Sequence, residues 1–273
     1  MSGFGSYRLF DQTGSLTPRQ IDDLMFSMNE DVRIGVYMLL QLARWIFLGA
    51  LLLFGPGFAA VDAQTTSKPL PANYKTIFEN PDVLVMHVHY AAHEIVPMHD
   101  HSAYPTVYVY LNDSGEVAIV HEAPNDFRVV RPPTHTGAFR ISPSMAERHS
   151  VTNLSDTASD FLRVELKTIP LSDLQQVFRS DAPSSPSPGT HTEFQDGALK
   201  IDRIVCPPDT VCTATPATAH SLLVALTPQD LQTTAGKHSL RLGDVVWLSA
   251  EDNKALLLSA GAQSLRIALL YPE

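Results

Sequence analysis

The sequence predicts an all-β protein built from two successive sandwich- or barrel-like halves. Three observations carry this. From about residue 75 onward, apolar residues fall in short runs rich in valine, tyrosine and isoleucine, each bounded by turn residues. The pattern of those runs recurs, weakly, in the second half. Between the halves, Asp181-Ala-Pro-Ser-Ser-Pro-Ser-Pro-Gly189 carries a proline density that no strand tolerates and reads as a linker.

The chain opens on a different kind of segment. Residues 45–60, Trp-Ile-Phe-Leu-Gly-Ala-Leu-Leu-Leu-Phe-Gly-Pro-Gly-Phe-Ala-Ala, carry no charge; Arg44 precedes them and Val61-Asp62-Ala63 follows with small residues where a signal peptidase reads. The run is short for a membrane span, which needs about 20 apolar residues. The expectation is a signal peptide cleaved near Ala63 and Gln64, sending the protein to the periplasm or outside the cell. An uncleaved membrane anchor over residues 36–60, or a buried helix, are the alternatives. Residues 1–35 hold three arginines against five acidic residues, 3 − 5 = −2, the wrong sign for the start of an export signal. Met38 is the better start. The expected division is a leader over 1–63, a first domain over 64–180, the linker over 181–189 and a second domain over 190–273.

A formal net charge of −10 argues against a nucleic-acid partner. The membrane enters only through the N-terminal segment. Cys206 and Cys212 have five residues between them, close enough for a small disulfide loop in an oxidising compartment; otherwise they are two ordinary thiols.

In the first half the expected strands are 83–90, 106–111, 116–121, 127–130, 138–141 and 161–166, and Asn-Asp-Ser-Gly at 112–115 is a hairpin turn. Leu171, Leu174 and Phe178 give 171–179 the spacing of a short amphipathic helix. In the second half Phe194-Gln-Asp matches Phe78-Glu-Asn. The runs 221–226, 243–248 and 264–269 match 106–111, the strand after Gly137, and 161–166, in the same order. These anchors support a tandem duplication.

The chemistry concentrates in the first half. His99-Asp100-His101 places two imidazoles on one face of a strand, since residues i and i+2 point the same way. A third, His149, lies about fifty residues on, in His149-Ser-Val-Thr-Asn153. Together they could hold one metal ion. His87 and His89 alternate with Leu84, Met86, Val88 and Tyr90, so they belong to the opposite, wetter face, where a subunit contact is their natural use. His93 reads as a turn residue with an alternative role in orienting the ligands, and His121 and His135 as surface residues. Tyr108 and Tyr110 share parity with Thr106 and are expected to line the cavity, with plain packing as the alternative. Arg140 is a candidate for holding an anionic substrate, or a solvated strand residue.

At this point the chain resembles the cupins, small β-barrels of the jelly-roll or double-stranded β-helix type. Their first motif, Gly-x5-His-x-His-x3-4-Glu-x6-Gly, is carried by His99-x-His101. Their second, Gly-x5-Pro-x-Gly-x2-His-x3-Asn, is carried by Gly137-x5-Pro143 and His149-x3-Asn153. The resemblance covers about residues 75–170 well and 190–273 loosely, so the chain looks like a bicupin. His93 stands at the first motif's glycine, Met145 at the second motif's inner glycine, and Pro105 and Thr106 near the metal-binding glutamate. The resemblance therefore implies a site of three neutral imidazoles, His99, His101 and His149, for a divalent iron, zinc, manganese, nickel or copper ion. Glu147 reads as a solvated loop carboxylate, with a substitute ligand as the alternative. The second copy has lost the site: Ala214, Pro216 and Ala255 fall where the histidines should be. It reads as a structural partner covering a sheet of the first.

The resemblance implies a small-molecule metalloenzyme of dioxygenase type, with no catalytic side chain assigned beyond the candidates Glu147 and Tyr108. A non-catalytic periplasmic barrel that binds a metal or small ligand is the alternative; a purely structural bicupin is a third. Cupins often pair through exposed sheet edges, so either a homodimer or pairing within one chain is expected.

Overall fold

The computed structural model describes residues 69–122, 127–169 and 177–270. The proposed export or anchor segment lies outside the described residues. In the first half the strands are β1 (Tyr74–Glu79), β2 (Val83–Tyr90), β3 (Ile95–His101), β4 (Thr106–Tyr110), β5 (Val117–His121), β6 (Arg128–Arg131), β7 (Phe139–Ser142), β8 (Glu147–Asn153), β9 (Ser159–Leu166) and β10 (Phe178–Ser180). In the second they are β11 (Gly189–Gln195), β12 (Leu199–Val205), β13 (Cys212–Thr213), β14 (Ser221–Ala225), β15 (Gln229–Thr233), β16 (Gly236–Leu240), β17 (Val245–Leu248), β18 (Leu257–Leu258) and β19 (Gln263–Leu269), with one 3₁₀ turn at Asp252–Lys254.

Each half is two antiparallel sheets. The first half has a large sheet ordered β1-β2-β9-β4-β7-β10 and a small one ordered β3-β8-β5-β6. The second repeats that order as β11-β12-β19-β14-β17 and β13-β18-β15-β16, with no equivalent of β10 among the described residues. The repetition reaches single residues. A register irregularity falls between Thr76 and Phe78 in one copy and between Thr192 and Phe194 in the other. Gly137 and Gly243 both adopt positive φ, 81° and 83°, in the turns leading to β7 and β17. A Cβ on Gly243 would meet Leu111, and one on Gly137 would meet Leu226, the residue that matches Leu111 in the repeat. The two turns thus press on each other's barrel reciprocally, and only glycine fits.

The two large sheets share the main apolar core. Val83, Val85, Phe139 and Leu162 from the first half pack with Leu199, Leu222, Leu265 and Ile267 from the second. This corrects the reading of β2. The face opposite Met86, Val88 and Tyr90 is buried at Val83 and Val85 and wet only at His87 and His89, which both contact Asp160 at 3.3 and 2.8 Å. The second half does cover a sheet of the first.

The helix expected at 171–179 is corrected where it can be seen. Residues 171–176 lie outside the described residues, and Phe178–Ser180 is the edge strand β10, paired with β7. Phe178 packs between Phe139 and Phe194, with ring centroids 5.7 and 5.0 Å away, and that burial overrides a local helical spacing. Cys206 and Cys212 are joined in a disulfide.

Candidate metal centre

Strands β3, β8 and β5 are neighbours in the small sheet of the first barrel. His99 and His149 are direct cross-strand partners, and so are His149 and His121. Opposed residues carry Cβ atoms about 5 Å apart. Three imidazoles therefore lie in a row across the inner face, and His101 adds a fourth from two residues along β3. Their placement depends on Pro97, which lies inside the register irregularity between Val96 and His99. Proline cannot donate to the ladder. Within that irregularity the Pro97 carbonyl accepts a hydrogen bond from His99 Nδ1 at 2.7 Å. That bond sets the tautomer and leaves Nε2 as a lone pair pointing inward.

The ring centroids of His99, His101 and His149 are 4.8 to 5.0 Å apart. His99 Nε2 is 3.0 Å from His101 Nε2 and 3.0 Å from the Tyr74 hydroxyl. All three rings are buried. Burial, the largest cause in each case, holds His99, His101 and His149 below the usual histidine range; for His149 the value falls to about 2, with His99 and Arg163 adding to the effect. The rings are thus neutral near pH 7, the form that binds a metal. His101 Nδ1 and His149 Nδ1 are buried without a hydrogen-bond partner among the described residues. Two nitrogens held at about 2.05 Å by one tetrahedral ion stand about 3.3 Å apart. A donor set of this spacing, neutrality and burial is compatible with a divalent cation.

Two expectations are corrected here. Glu147 is no solvated loop residue: it begins β8, and its parity with His149 turns it inward. Its Oε2 lies 3.9 Å from His149 Nδ1 and 3.3 Å from Arg163 Nη1. It also pairs across the strands with His101, so the barrel does carry a carboxylate beside the histidines. His121 is no surface residue: it is 3% exposed, stacks on Phe127 at 4.3 Å, and has neither ring nitrogen partnered among the described residues. Together with Glu147 and His149 it forms a second group of metal-competent donors. The missed signal was strand adjacency. A lone histidine at the end of a predicted strand is silent until β5 is known to lie beside β8.

Tyr74 and Arg163 were also missed. The Tyr74 hydroxyl joins His99 to the Tyr90 hydroxyl at 2.6 Å. Arg163 is buried, donates to Glu165 at 3.0 Å, to the Tyr108 hydroxyl at 2.7 Å and to Glu147 at 3.3 Å, and so locks three groups at once.

Tyr108, Tyr110 and Arg140 line the same cavity as His149. Arg140 is buried rather than solvated, with its guanidinium 4.3 Å over the Tyr108 ring. His93 lies away from the site at φ 56°, exposed and 2.8 Å from Asp156, and His135 is exposed near Asp113. In the second barrel Ala214, Leu231, Leu256 and Leu258 fill the interior where the first barrel has its histidines.

No family model and no curated protein matches the chain. Solved structures do. A putative glyoxylate-induced protein from Pseudomonas aeruginosa is 13% identical, with 77% of this chain and 86% of that one covered and a TM-score of 0.53. The pirin YhhW of Escherichia coli, solved in complex with nickel(II), is 14% identical over 73% of this chain and 91% of its own, with a TM-score of 0.51. The protein Ylba of E. coli is 10% identical over 74% and 86%, also with a TM-score of 0.51. Two barrels of one repeated sheet order, and these likenesses, give the described chain the cupin fold.

Proposed function

We propose that the first barrel binds one divalent transition metal through His99, His101 and His149, and uses it to act on a small molecule in the adjoining cavity. The observation that carries this is the convergence of three buried, neutral imidazoles, two of which, His101 and His149, have an Nδ1 without a partner among the described residues. The nickel(II) bound by the similar pirin supports a metal but does not choose among iron, zinc, manganese, nickel and copper. When bound, such an ion supplies Lewis-acid polarisation of a substrate oxygen or, for a redox metal, access to oxygen chemistry. Dioxygenase-type oxidation is our reading of the reaction, by analogy of fold.

The chain's own part is positioning. Pro97 fixes the His99 tautomer. Arg163 holds Glu147 and the Tyr108 hydroxyl in place. Burial raises the Tyr74 and Tyr108 hydroxyls above the usual tyrosine range, so both stay protonated at neutral pH and can only donate or share hydrogen bonds. Val151 and Ile119 keep part of the cavity wall dry.

A second reading, a non-catalytic binding barrel, is favoured by one observation. Both candidate proton-transfer groups, Glu147 and Tyr108, are already bound to Arg163. The Cys206–Cys212 disulfide and the apolar run before Ala63 support an exported protein.

Metal analysis and oxygen uptake test the proposal. The purified full chain is expected to hold about one metal per chain. His101→Ala should lose it and His87→Ala should keep it. Oxygen uptake with thiols, phenols or diketones supports the enzyme; metal without turnover supports the binder. Full metal in both variants overturns the site.

A further inference from the structure

The cavity beside the histidines has a second polar feature that metal binding does not use. Four arginines are buried among the described residues: Arg140, Arg163, Arg203 and Arg266. Three of them have carboxylate partners, Arg163 with Glu147 and Glu165, Arg203 with Glu193, and Arg266 with Asp202. Arg140 has none among the described residues. It is 8% exposed, and its Nε and Nη1 have no hydrogen-bond partner there. Arg131, half-buried on β6, lines the same cavity, and its Nε is also unpartnered. Burial and the neighbouring Arg140 charge hold Arg131 below the usual arginine range.

Two like charges in one cavity repel, and buried donors without acceptors cost free energy. Among the described residues neither is in ion-pair contact with a carboxylate; Glu147, in the same cavity, is held by Arg163. An anionic ligand would supply the missing acceptors, and a guanidinium fork matches a carboxylate. The rest of the lining says what that carboxylate is attached to. Tyr90, Tyr108, Tyr110 and Phe161 form the walls, with Val117, Ile119 and Val151. Glu147 also lines the cavity, and its charge disfavours a dianion such as phosphate.

We propose that Arg131 and Arg140 form the carboxylate-binding part of a site for a small aromatic monocarboxylate, whose ring packs among Tyr90, Tyr108 and Phe161 beside the histidine cluster. The assignment of this ligand as the substrate rests on the proposed function; the binding itself does not need the metal.

Calorimetric titration of the full chain with benzoate tests it, with benzamide as the neutral control and inorganic phosphate as the non-aromatic anion, on metal-loaded and metal-stripped protein. Benzoate is expected to bind at least about tenfold tighter than either control. Arg140→Met and Arg131→Gln should each weaken benzoate by roughly tenfold or more while metal content and melting temperature stay near wild type. Should Arg140→Met fail to fold, Arg131→Gln and the benzamide comparison decide alone. Equal affinity for benzoate and benzamide, wild-type benzoate affinity in the folded arginine variants, or no benzoate binding at about 10 mM overturns the proposal. Arginine-dependent benzoate binding by a chain that takes up no metal would leave this site standing and remove the metal reading. Metal uptake without benzoate binding would do the reverse.

Discussion

His149 is the residue on which the first barrel turns. It faces His99 on one side and His121 on the other, and Glu147 precedes it by two positions on the same face. Neutral histidines in a folded protein leave a mark on stability. In the unfolded chain each titrates near 6.5; in the folded one, burial lowers His99, His101, His121 and His149, the last to about 2. Between those limits the unfolded state binds more protons, so stability rises with pH across the window and is lost on acidification below about 6.5. The slope approaches about 1.4 kcal/mol per pH unit for each fully neutral ring. Urea denaturation of metal-free protein should give a clearly lower midpoint at pH 5 than at pH 7, and His121→Gln should flatten the difference. A midpoint that does not fall on acidification would contradict burial of neutral rings. At this scale the sequence was a partial guide. Strand parity brought Tyr108 and Tyr110 to the cavity, but the same rule applied to β8 would have turned Glu147 inward. Arg163 gave no local signal, because what holds it lies on β4, β8 and its own β9.

Elements are held by what lies across from them. β3 and β8 carry the histidines because the irregularity at Pro97 lets one strand turn His99 inward. In the second barrel the corresponding strands, β13 and β18, are two residues each, and the Cys206–Cys212 bond ties the start of β13 to the end of β12. A short strand gains little from its ladder, so the cross-link is expected to matter there. Loop-closure entropy for a loop of this size gives about 2 kcal/mol. Cys212→Ser, or reduction with a thiol, should lower chemical stability by that amount while metal content stays unchanged; a loss of metal would mean that the second barrel shapes the first barrel's site. Most of β2, β4, β5, β7 and β9 was legible from alternation and turns. β10 was not, since a three-residue strand leaves almost no pattern and exists only by pairing with β7.

The described residues form a pair of barrels joined through their large sheets. That junction buries Val83, Val85, Val107, Val109, Phe139 and Leu162 of the first barrel. A chain ending at Ser180 would expose this face to water, at roughly 25 cal/mol per Å² of apolar surface. It should be insoluble or self-associate, which sedimentation velocity would report; a stable, soluble monomer would show that the first barrel does not need its cover. The loss of ligands in the second barrel follows the same logic. Its Arg266 repeats the position of Arg163, but answers to Asp202, and leucines fill the interior. The second barrel keeps the packing, and among the described residues the histidine cluster lies in the first.

The sequence by itself determined the all-β class, the internal repeat and the His99-x-His101 and His149 set, because alternation, turn residues and spacing are written locally along the chain. Tertiary structure alone decided that β5 lies beside β8, that the two large sheets share one core, and that Arg163 and Arg140 are buried in the same cavity. Those are contacts between residues tens of positions apart, and no short-range pattern encodes which strand becomes another's neighbour.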